Sequence, residues 1–303
     1  MSSILANPLD QFAPTQQRVE ILRDLPADQY HRLVYASNSR LSDLEQSPAH
    51  MRHRMLNPEP PTPALVLGTA AHDMILEKRD RVTVSGQCCA KTGKGARCSN
   101  LGSRYHAGGW WCNVKGHGPV GPGDEVGKAI LTPDEYHVLQ STANAVQIHP
   151  AAAQLLDSRT ETELTVIWTD PETGVRCKLR TDGIAAGVVT FDLKTCPDAS
   201  PREFEKSIFN WGYHRQGAFY LDGLREVGFE VETFCVIAVE KTAPFGVCVY
   251  EIQEEALRIG REENARLLRI WAECEASDHW PCYPTTIQTI GLPRWAARQL
   301  EVA

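Results

Sequence analysis

The sequence predicts an α/β or α+β fold in which helices flank a mixed central sheet. Three strand-like runs follow one another at residues 163–170, 175–182 and 188–195, and the turn signal PETG separates the first two. Their simplest arrangement is an antiparallel meander. An amphipathic helical pattern at about 201–226 comes next, and the chain continues with predicted strands at 231–240 and 246–252 and a helix at 254–275.

Helical patterns cover most of the N-terminal half. Residues 16–56 carry apolar side chains at helical spacing, with Ser39 and Ser42 as candidate caps. A proline-rich stretch interrupts the pattern before residues 64–77 resume as an apolar helix. A further helix is predicted at 132–156, because a threonine stands in the cap position ahead of a proline in the first turn. These helices are expected to flank the sheet.

The composition suits a single globular domain over residues 1–303, carrying one small insertion. The chain is 42% hydrophobic and 23% charged, and it contains no run of about 18 apolar residues that could span a bilayer. Its N-terminus lacks the basic-then-apolar layout of a signal peptide. We therefore expect a cytoplasmic protein with no membrane partner.

The net charge of −7 does not point to a nucleic-acid binder, because phosphate binding normally requires a basic surface. An enzyme can nevertheless confine positive charge to a cleft. Divalent cations also supply positive charge at a carboxylate-lined site. The net charge therefore does not exclude a DNA substrate.

Residues 85–123 are predicted to form an inserted module, because their composition differs from that of their surroundings. The segment is rich in Gly, Cys, Lys and Trp and poor in aliphatic residues, so it needs a source of order other than a hydrophobic core. Three thiolates and one imidazole satisfy tetrahedral Zn²⁺, and the module offers Cys88, Cys98, Cys112 and His117, with Cys89 as a spare ligand. Their spacing resembles a small zinc-ribbon-like module. The alternatives are an iron–sulfur cluster and free thiols in a loop.

Basic and aromatic side chains are concentrated in the same module. A DNA end or a single strand could be bound there by charge and by stacking. The candidate residues for this contact are Lys91, Lys94, Arg97, Trp110 and Trp111. The alternative is a solvated charged face with the two tryptophans packed on the zinc site.

Asp192 and Lys194 lie two residues apart in a predicted strand, so their side chains share one face. Asp182 closes the preceding strand and comes near Asp192 if the two strands pair through GIAAG. The two carboxylates and the Leu193 carbonyl then form a hard-oxygen site for Mg²⁺ or Mn²⁺. Such a metal activates water and offsets charge in a phosphoryl transition state, while a lysine orients or helps deprotonate that water. The alternative is an exposed strand pair beside a turn aspartate.

Three further side chains accompany this constellation. Gln216 and Tyr220 lie four residues apart on one face of the predicted helix at 201–226, with Tyr213 on the same face. They can hold a phosphate or steady the lysine without changing the charge at a metal. His72, in the apolar helix, can complete a divalent-metal site and suits Mn²⁺ better than Mg²⁺. The alternatives are a polar helix edge for Gln216 and Tyr220 and a structural role for His72.

The sequence resembles the RecE type (exonuclease VIII-like) of phage and prophage exonucleases, within the PD-(D/E)xK superfamily. The matching stretches run from about residue 28 to 297 and are SNSRLSDLEQSPAH, PTPALVLGTAAHDMILE, WTDPETGVRCKLRTD, FDLKTCPDASPREFEKSIFNWGYHRQGAFYLDG and CYPTTIQTIGLPRWA. They contain GxxxH, D, DxK and QxxxY motifs, which are highly specific together in this order. The cysteine-rich insertion interrupts the match.

The resemblance implies a restriction-endonuclease-like core and a role for each motif residue. The implied metal ligands are His72, Asp182 and Asp192, the implied catalytic lysine is Lys194, and Gln216 and Tyr220 form a supporting motif. The resemblance also implies processive 5′-to-3′ digestion of linear double-stranded DNA with Mg²⁺, leaving 3′ single strands for an annealing protein. The resemblance further implies that the protein forms ring-shaped homo-oligomers through which DNA is threaded. It also implies a phage or prophage gene in a bacterial cell.

Two other functions remain open on the sequence. A structure-specific or restriction-like endonuclease would use the same metal core, because exonuclease character resides in the oligomer and its channel. A non-catalytic DNA-binding recombination protein would use the zinc module beside a relict core. The intact Asp182, Asp192 and Lys194 argue against this last function.

Overall fold

A six-stranded mixed sheet forms the centre of the molecule. The computed structural model describes residues 19–79, 81–91, 96, 98–102, 104–106, 109–112, 114 and 129–292. The strands are β1 (Glu20–Leu22), β2 (Val82–Val84), β3 (Arg104–His106), β4 (Gly109–Trp111), β5 (Ala129–Leu131), β6 (Arg159–Thr169), β7 (Arg176–Ala185), β8 (Val189–Cys196), β9 (Thr233–Glu240) and β10 (Val247–Glu251). The helices are α1 (Ala27–Arg32), α2 (Asn38–Gln46), α3 (Pro48–Leu56), α4 (Pro63–Ile75), α5 (Pro133–Ile148), α6 (Pro150–Asp157), α7 (Pro201–Asn210), α8 (Tyr213–Glu226) and α9 (Glu254–Ser277).

The central sheet has the strand order β1-β6-β7-β8-β9-β10. Its neighbours are antiparallel except β8 and β9, which run parallel with α7 and α8 between them in sequence. Helices cover both faces, and alternate residues of β9 belong to two separate cores. Phe234, Val236 and Ala238 pack with α8 and α9, whereas Cys235, Ile237 and Val239 pack with α4 and α5. The predicted mixed sheet flanked by helices is confirmed.

The predicted meander of β6, β7 and β8 is also confirmed. At the PETG turn, the Asp170 carboxylate accepts hydrogen bonds from the backbone and hydroxyl of Thr173 at 2.8 and 2.6 Å. Gly174 takes a φ of +74°, which a glycine adopts without steric cost. At the second turn, within GIAAG, Ala186 and Gly187 both have positive φ. Both turns therefore set antiparallel pairing on either side of β7.

Two predicted helices are each divided in the structure. The pattern at 201–226 becomes α7 and α8, because Gly212 takes a φ of +66° between them. A Cβ at that position would come within 2.7 Å of the Arg215 guanidinium, so the corner requires glycine. The pattern at 132–156 becomes α5 and α6, because Pro150 has no N–H with which to continue a helix.

The prediction of one helical region at residues 16–56 was wrong. The described part of this region contains a strand and three short helices. β1 pairs with the edge of β6, and α1, α2 and α3 follow. The cap position of α2 is Ser37 and not Ser39 or Ser42, and α3 begins at a proline capped by the Ser47 hydroxyl. Local breaks at prolines and serines therefore override the helical periodicity.

Strands β2 and β5 stand on either side of residues 85–128 in the sequence. These two short strands pair in parallel, with Val82 opposite Ala129 and Val84 opposite Leu131. The description of 85–123 as a separate module remains a prediction. Within the described part of the chain, no helix combines the length and hydropathy needed to cross a bilayer.

Candidate active site

The β7–β8 hairpin places Asp182 and Asp192 in one buried site. Gly183 pairs with Phe191, and the Leu193 amide donates a 2.6 Å hydrogen bond to Oδ2 of Asp182. The two aspartates are only 6% and 3% exposed. Burial and the charge of Asp182 raise the pKa of Asp192. Burial alone would also raise the pKa of Asp182, but His72 and the Leu193 amide hold it below its usual range.

Lys194 lies beside Asp192 on the α8 face of the sheet. Its Nζ is 2.6 Å from Oδ2 of Asp192 and 5.0 Å from the ring centroid of Tyr213. Burial would lower the pKa of Lys194, but Asp192 and Asp182 outweigh burial and raise it. The lysine is therefore an ammonium at neutral pH.

Helix α8 supplies the polar side chains that face these strands. The Gln216 amide donates to Oδ1 of Asp192 at 2.6 Å. One turn later, Tyr220 is buried, with its ring edge-on to Phe234 at 6.0 Å. Burial raises the pKa of Tyr220 well above its usual value, so its hydroxyl stays protonated. Gln216, Tyr220 and Tyr213 therefore all lie on α8, as the sequence spacing predicts.

His72 on α4 bridges the two strands from the other side of the sheet. Its Nε2 lies 2.9 Å from the Leu193 carbonyl oxygen, and its Nδ1 lies 3.4 Å from Oδ2 of Asp182. Burial by itself lowers the pKa of His72, but the charge and hydrogen bond of Asp182 outweigh it and raise the pKa to about 9. The protonated imidazole therefore lies between the Asp182 carboxylate and the Leu193 carbonyl.

Glu163 on β6 joins this group, and sequence reasoning missed it. Ligand atoms of His72, Glu163 and Asp182 all lie within 4.8 Å of one another. Burial and the charge of Asp182 raise the pKa of Glu163 to about 7. The sequence did contain a signal for Glu163. If strands β6 and β7 pair from Thr169 and Arg176 at the PETG turn, the same register places Glu163 opposite Asp182. The structure keeps that register on both sides, where Thr162 pairs with Gly183 and Leu164 pairs with Thr181.

The donor set fits a divalent cation that prefers oxygen. The carboxylates of Glu163 and Asp182 lie with the His72 imidazole within 4.8 Å of one another, and Asp192, paired with Lys194, is close enough for the charge of Asp182 to raise its pKa. Oδ2 of Asp192 is buried without a regular hydrogen bond, although Lys194 approaches it as an ion pair. A hard cation would offset the excess negative charge of these carboxylates. Asp182, Asp192, the Leu193 carbonyl, His72 and Glu163 are the groups that could hold it.

The cysteine-rich module brings three of its four predicted zinc ligands together. The sulfur atoms of Cys88, Cys98 and Cys112 lie within 4.8 Å of one another, and all three residues are buried. The Cys112 amide donates to Sγ of Cys88 at 3.4 Å, and the Asn100 side chain donates to Sγ of Cys112 at 3.7 Å. Such donors stabilise thiolates. The predicted fourth ligand, His117, lies outside the described residues.

The two tryptophans of this module are packed within it. A Cβ on either Gly86 or Gly102 would come within 2.5 Å of Trp110, and Trp111 packs against the cysteine cluster. The contact with the cysteine cluster agrees with the packing alternative for Trp111, whereas Trp110 packs against the two glycines. Lys91 is exposed, whereas Lys94 and Arg97 lie outside the described residues. A DNA contact by this set stays a prediction.

Comparisons with known proteins bear on the whole domain. Residues 37–292 match a family model described as a PDDEXK-like domain of unknown function (DUF3799). A solved structure from Eubacterium rectale, described as a "Putative exonuclease", aligns with a TM-score of 0.52 at 13% identity, covering 88% of this chain and 96% of that chain. At this identity the likeness shows the fold. No curated protein matches the chain in sequence.

Proposed function

This chain belongs to the PDDEXK-like family DUF3799, and on that basis we propose that it is a Mg²⁺- or Mn²⁺-dependent exodeoxyribonuclease acting on linear double-stranded DNA. The observation that carries the proposal is the set of contacts at the β7–β8 hairpin, in which His72 contacts Asp182 and the Leu193 carbonyl while Lys194 contacts Asp192. These are the residues to which the sequence motifs assign metal binding and proton handling.

Each side chain has a distinct task in this proposal. A bound divalent cation would supply an activated water and offset charge at the scissile phosphate. Lys194, as an ammonium, would orient the attacking water and offset negative charge at the phosphate, and it is held in place by Asp192 and the Tyr213 ring. Gln216 fixes the direction of the Asp192 carboxylate, and the protonated Tyr220 hydroxyl offers a neutral donor.

We propose 5′-to-3′ polarity and a product with 3′ single strands that an annealing protein would use in recombination. The order of the GxxxH, D, DxK and QxxxY motifs supports this assignment. A ring-shaped homo-oligomer around DNA would account for processive digestion, and a phage or prophage gene in a bacterial cell fits the same resemblance.

We propose that the cysteine-rich module binds a structural Zn²⁺ separate from the catalytic metal. The three clustered thiols support it. With His117 as the fourth ligand the tetrahedron would be filled, which leaves no position for a reactive water.

The direct test compares end-labelled linear duplex with covalently closed plasmid in the presence of Mg²⁺. We expect progressive loss of the linear substrate, no cleavage of the closed circle, and no activity in Asp192→Asn. Cleavage of the closed circle would instead support an endonuclease. Binding without cleavage under all metal conditions would support the non-catalytic alternative.

A further inference from the structure

The corner between α7 and α8 displays two aromatic rings to solvent. Phe209 is 74% exposed and Trp211 is 69% exposed. No other Phe, Trp or Tyr whose burial the structure describes is as exposed as either. Exposed rings of this size are costly to leave in water, which makes their position informative.

This corner has a fixed support. The His214 imidazole lies 3.2 Å from the Ile208 carbonyl and 3.1 Å from the Glu263 carboxylate, so it joins the corner to α9. The Phe209 ring stacks on the same imidazole, with centroids 6.2 Å apart and planes 9° from parallel. Gly212 packs directly against the Arg215 guanidinium. One face of Phe209 is thereby supported from behind while most of the ring remains accessible.

The corner adjoins the catalytic lysine. Trp211 precedes Tyr213 by two residues, and the Tyr213 ring lies 5.0 Å from Nζ of Lys194. On α8, Tyr213 contacts Lys194, and Gln216, one turn later, contacts Asp192. The aromatic corner therefore lies at the N-terminal end of the helix that contacts Lys194 and Asp192.

Helix α7 carries two cations, Arg202 and Lys206. The whole chain carries a net charge of −7. Lys206 is paired with Glu203 at 2.6 Å, whereas Arg202 is exposed. Base stacking on aromatic rings is a contact that adds affinity for a nucleic-acid strand without positive charge.

From this placement we propose that Phe209 and Trp211 form a stacking platform for unpaired nucleobases of the DNA strand next to the scissile phosphate. This inference rests on the proposed nuclease function. It specifies that the corner recognises unpaired bases of the DNA substrate. The rings stack on bases irrespective of sequence, because every base has a π face. The platform holds the strand in line with Lys194 and takes no part in the bond change.

The test uses full-length protein with Ca²⁺ in place of Mg²⁺ and a short fluorescein-labelled oligothymidylate. Trp211→Ala and Phe209→Ala should each weaken binding by about tenfold or more, and Trp211→Phe should restore it to within about threefold. The loss should persist at high salt, since stacking does not depend on counterion release. Tyr283→Ala, which removes another exposed ring, should leave the affinity unchanged.

Three results would overturn the inference. Equal affinity of wild type, Trp211→Ala and Phe209→Ala would show that the corner does not contact DNA, and the nuclease proposal would stand if Mg²⁺-dependent cleavage persists. A change in oligomer size for Trp211→Ala by light scattering would show that the corner joins copies of this chain. Absence of both binding and cleavage in the wild type would remove the proposed function and the platform with it.

Discussion

Gln216 donates its side-chain amide to Oδ1 of Asp192 across 2.6 Å, which ties helix α8 to strand β8 at the candidate metal site. Lys194 lies 2.6 Å from the other oxygen of the same carboxylate. Asp192 is therefore oriented on both sides by residues from two different elements. The contribution of each partner to catalysis can be measured separately.

Asp192→Ala and Lys194→Ala should each abolish Mg²⁺-dependent cleavage while the fold persists. The first removes a metal carboxylate, and the second removes the charge that orients water. Initial rates on linear duplex measure the loss, with thermal unfolding as the control for folding. Rates within about threefold of wild type, which is under roughly 1 kcal/mol in barrier height, would contradict the assignment.

Gln216→Ala should lower the cleavage rate by about 10- to 100-fold, since the carboxylate it orients remains present but is no longer fixed. Mn²⁺ affinity by calorimetry should fall in the same direction. A fully active Gln216→Ala enzyme would mean that Lys194 alone suffices to hold Asp192.

Glu163→Gln should have opposite effects on stability and on metal binding. Without metal at about pH 8, above the pKa of about 7, it should raise the free energy of unfolding, because a crowded negative charge next to Asp182 is removed. With metal, it should weaken Mn²⁺ binding by about tenfold. Glu161→Gln is the matched control, since Glu161 lies on the same strand but pairs with Arg23. Urea unfolding and Mn²⁺ titration give both readouts, and an unchanged Mn²⁺ affinity would remove Glu163 from the site.

Metal affinity should rise with pH. Protons compete with the metal for Glu163, whose pKa is raised to about 7, and for His72, whose pKa is raised to about 9. Each proton released on binding strengthens the apparent affinity by up to about tenfold per pH unit.

Both groups have folded pKa values above their unfolded ones, so their contribution to metal-free stability is present at low pH and is lost as pH rises through about 7 and about 9. Calorimetric Mn²⁺ titrations across this range test the slope, and a flat profile would argue against both ligands.

The purified protein should carry about one zinc per chain, as measured by elemental analysis. A Cys98→Ser, Cys112→Ser variant should lose the zinc and the order of the module but keep Mg²⁺-dependent cleavage of short duplexes. A brown protein absorbing near about 400 nm would indicate an iron–sulfur centre instead. A variant that keeps its fold and Mg²⁺ affinity yet cleaves nothing would place zinc in the reaction.

The central sheet and most of the site could be predicted because they depend on strand periodicity and two turns. Alternation alone places Asp192 and Lys194 on one face, and GIAAG brings Asp182 next to them. The spacing of Gln216 and Tyr220 likewise survives the division of their helix, because both residues lie within α8.

The features that were missed depend on single residues or on distant pairing. The α7–α8 corner follows from the φ of Gly212, which periodicity does not encode. Glu163 required the full ladder register from the PETG turn, and its own φ of +50° is unusual for a strand residue. The three clustered thiols follow the predicted spacing, whereas His117 lies outside the described residues.

The parallel pairing of β2 with β5 makes residues 85–128 a crossover connection and not a loop added to a hairpin. Antiparallel strands can be joined by a two-residue turn, but a parallel pair needs a connection of about a dozen residues to carry the chain back to the starting edge. A shortened chain would therefore have to keep a bridge of that length between Val84 and Ala129.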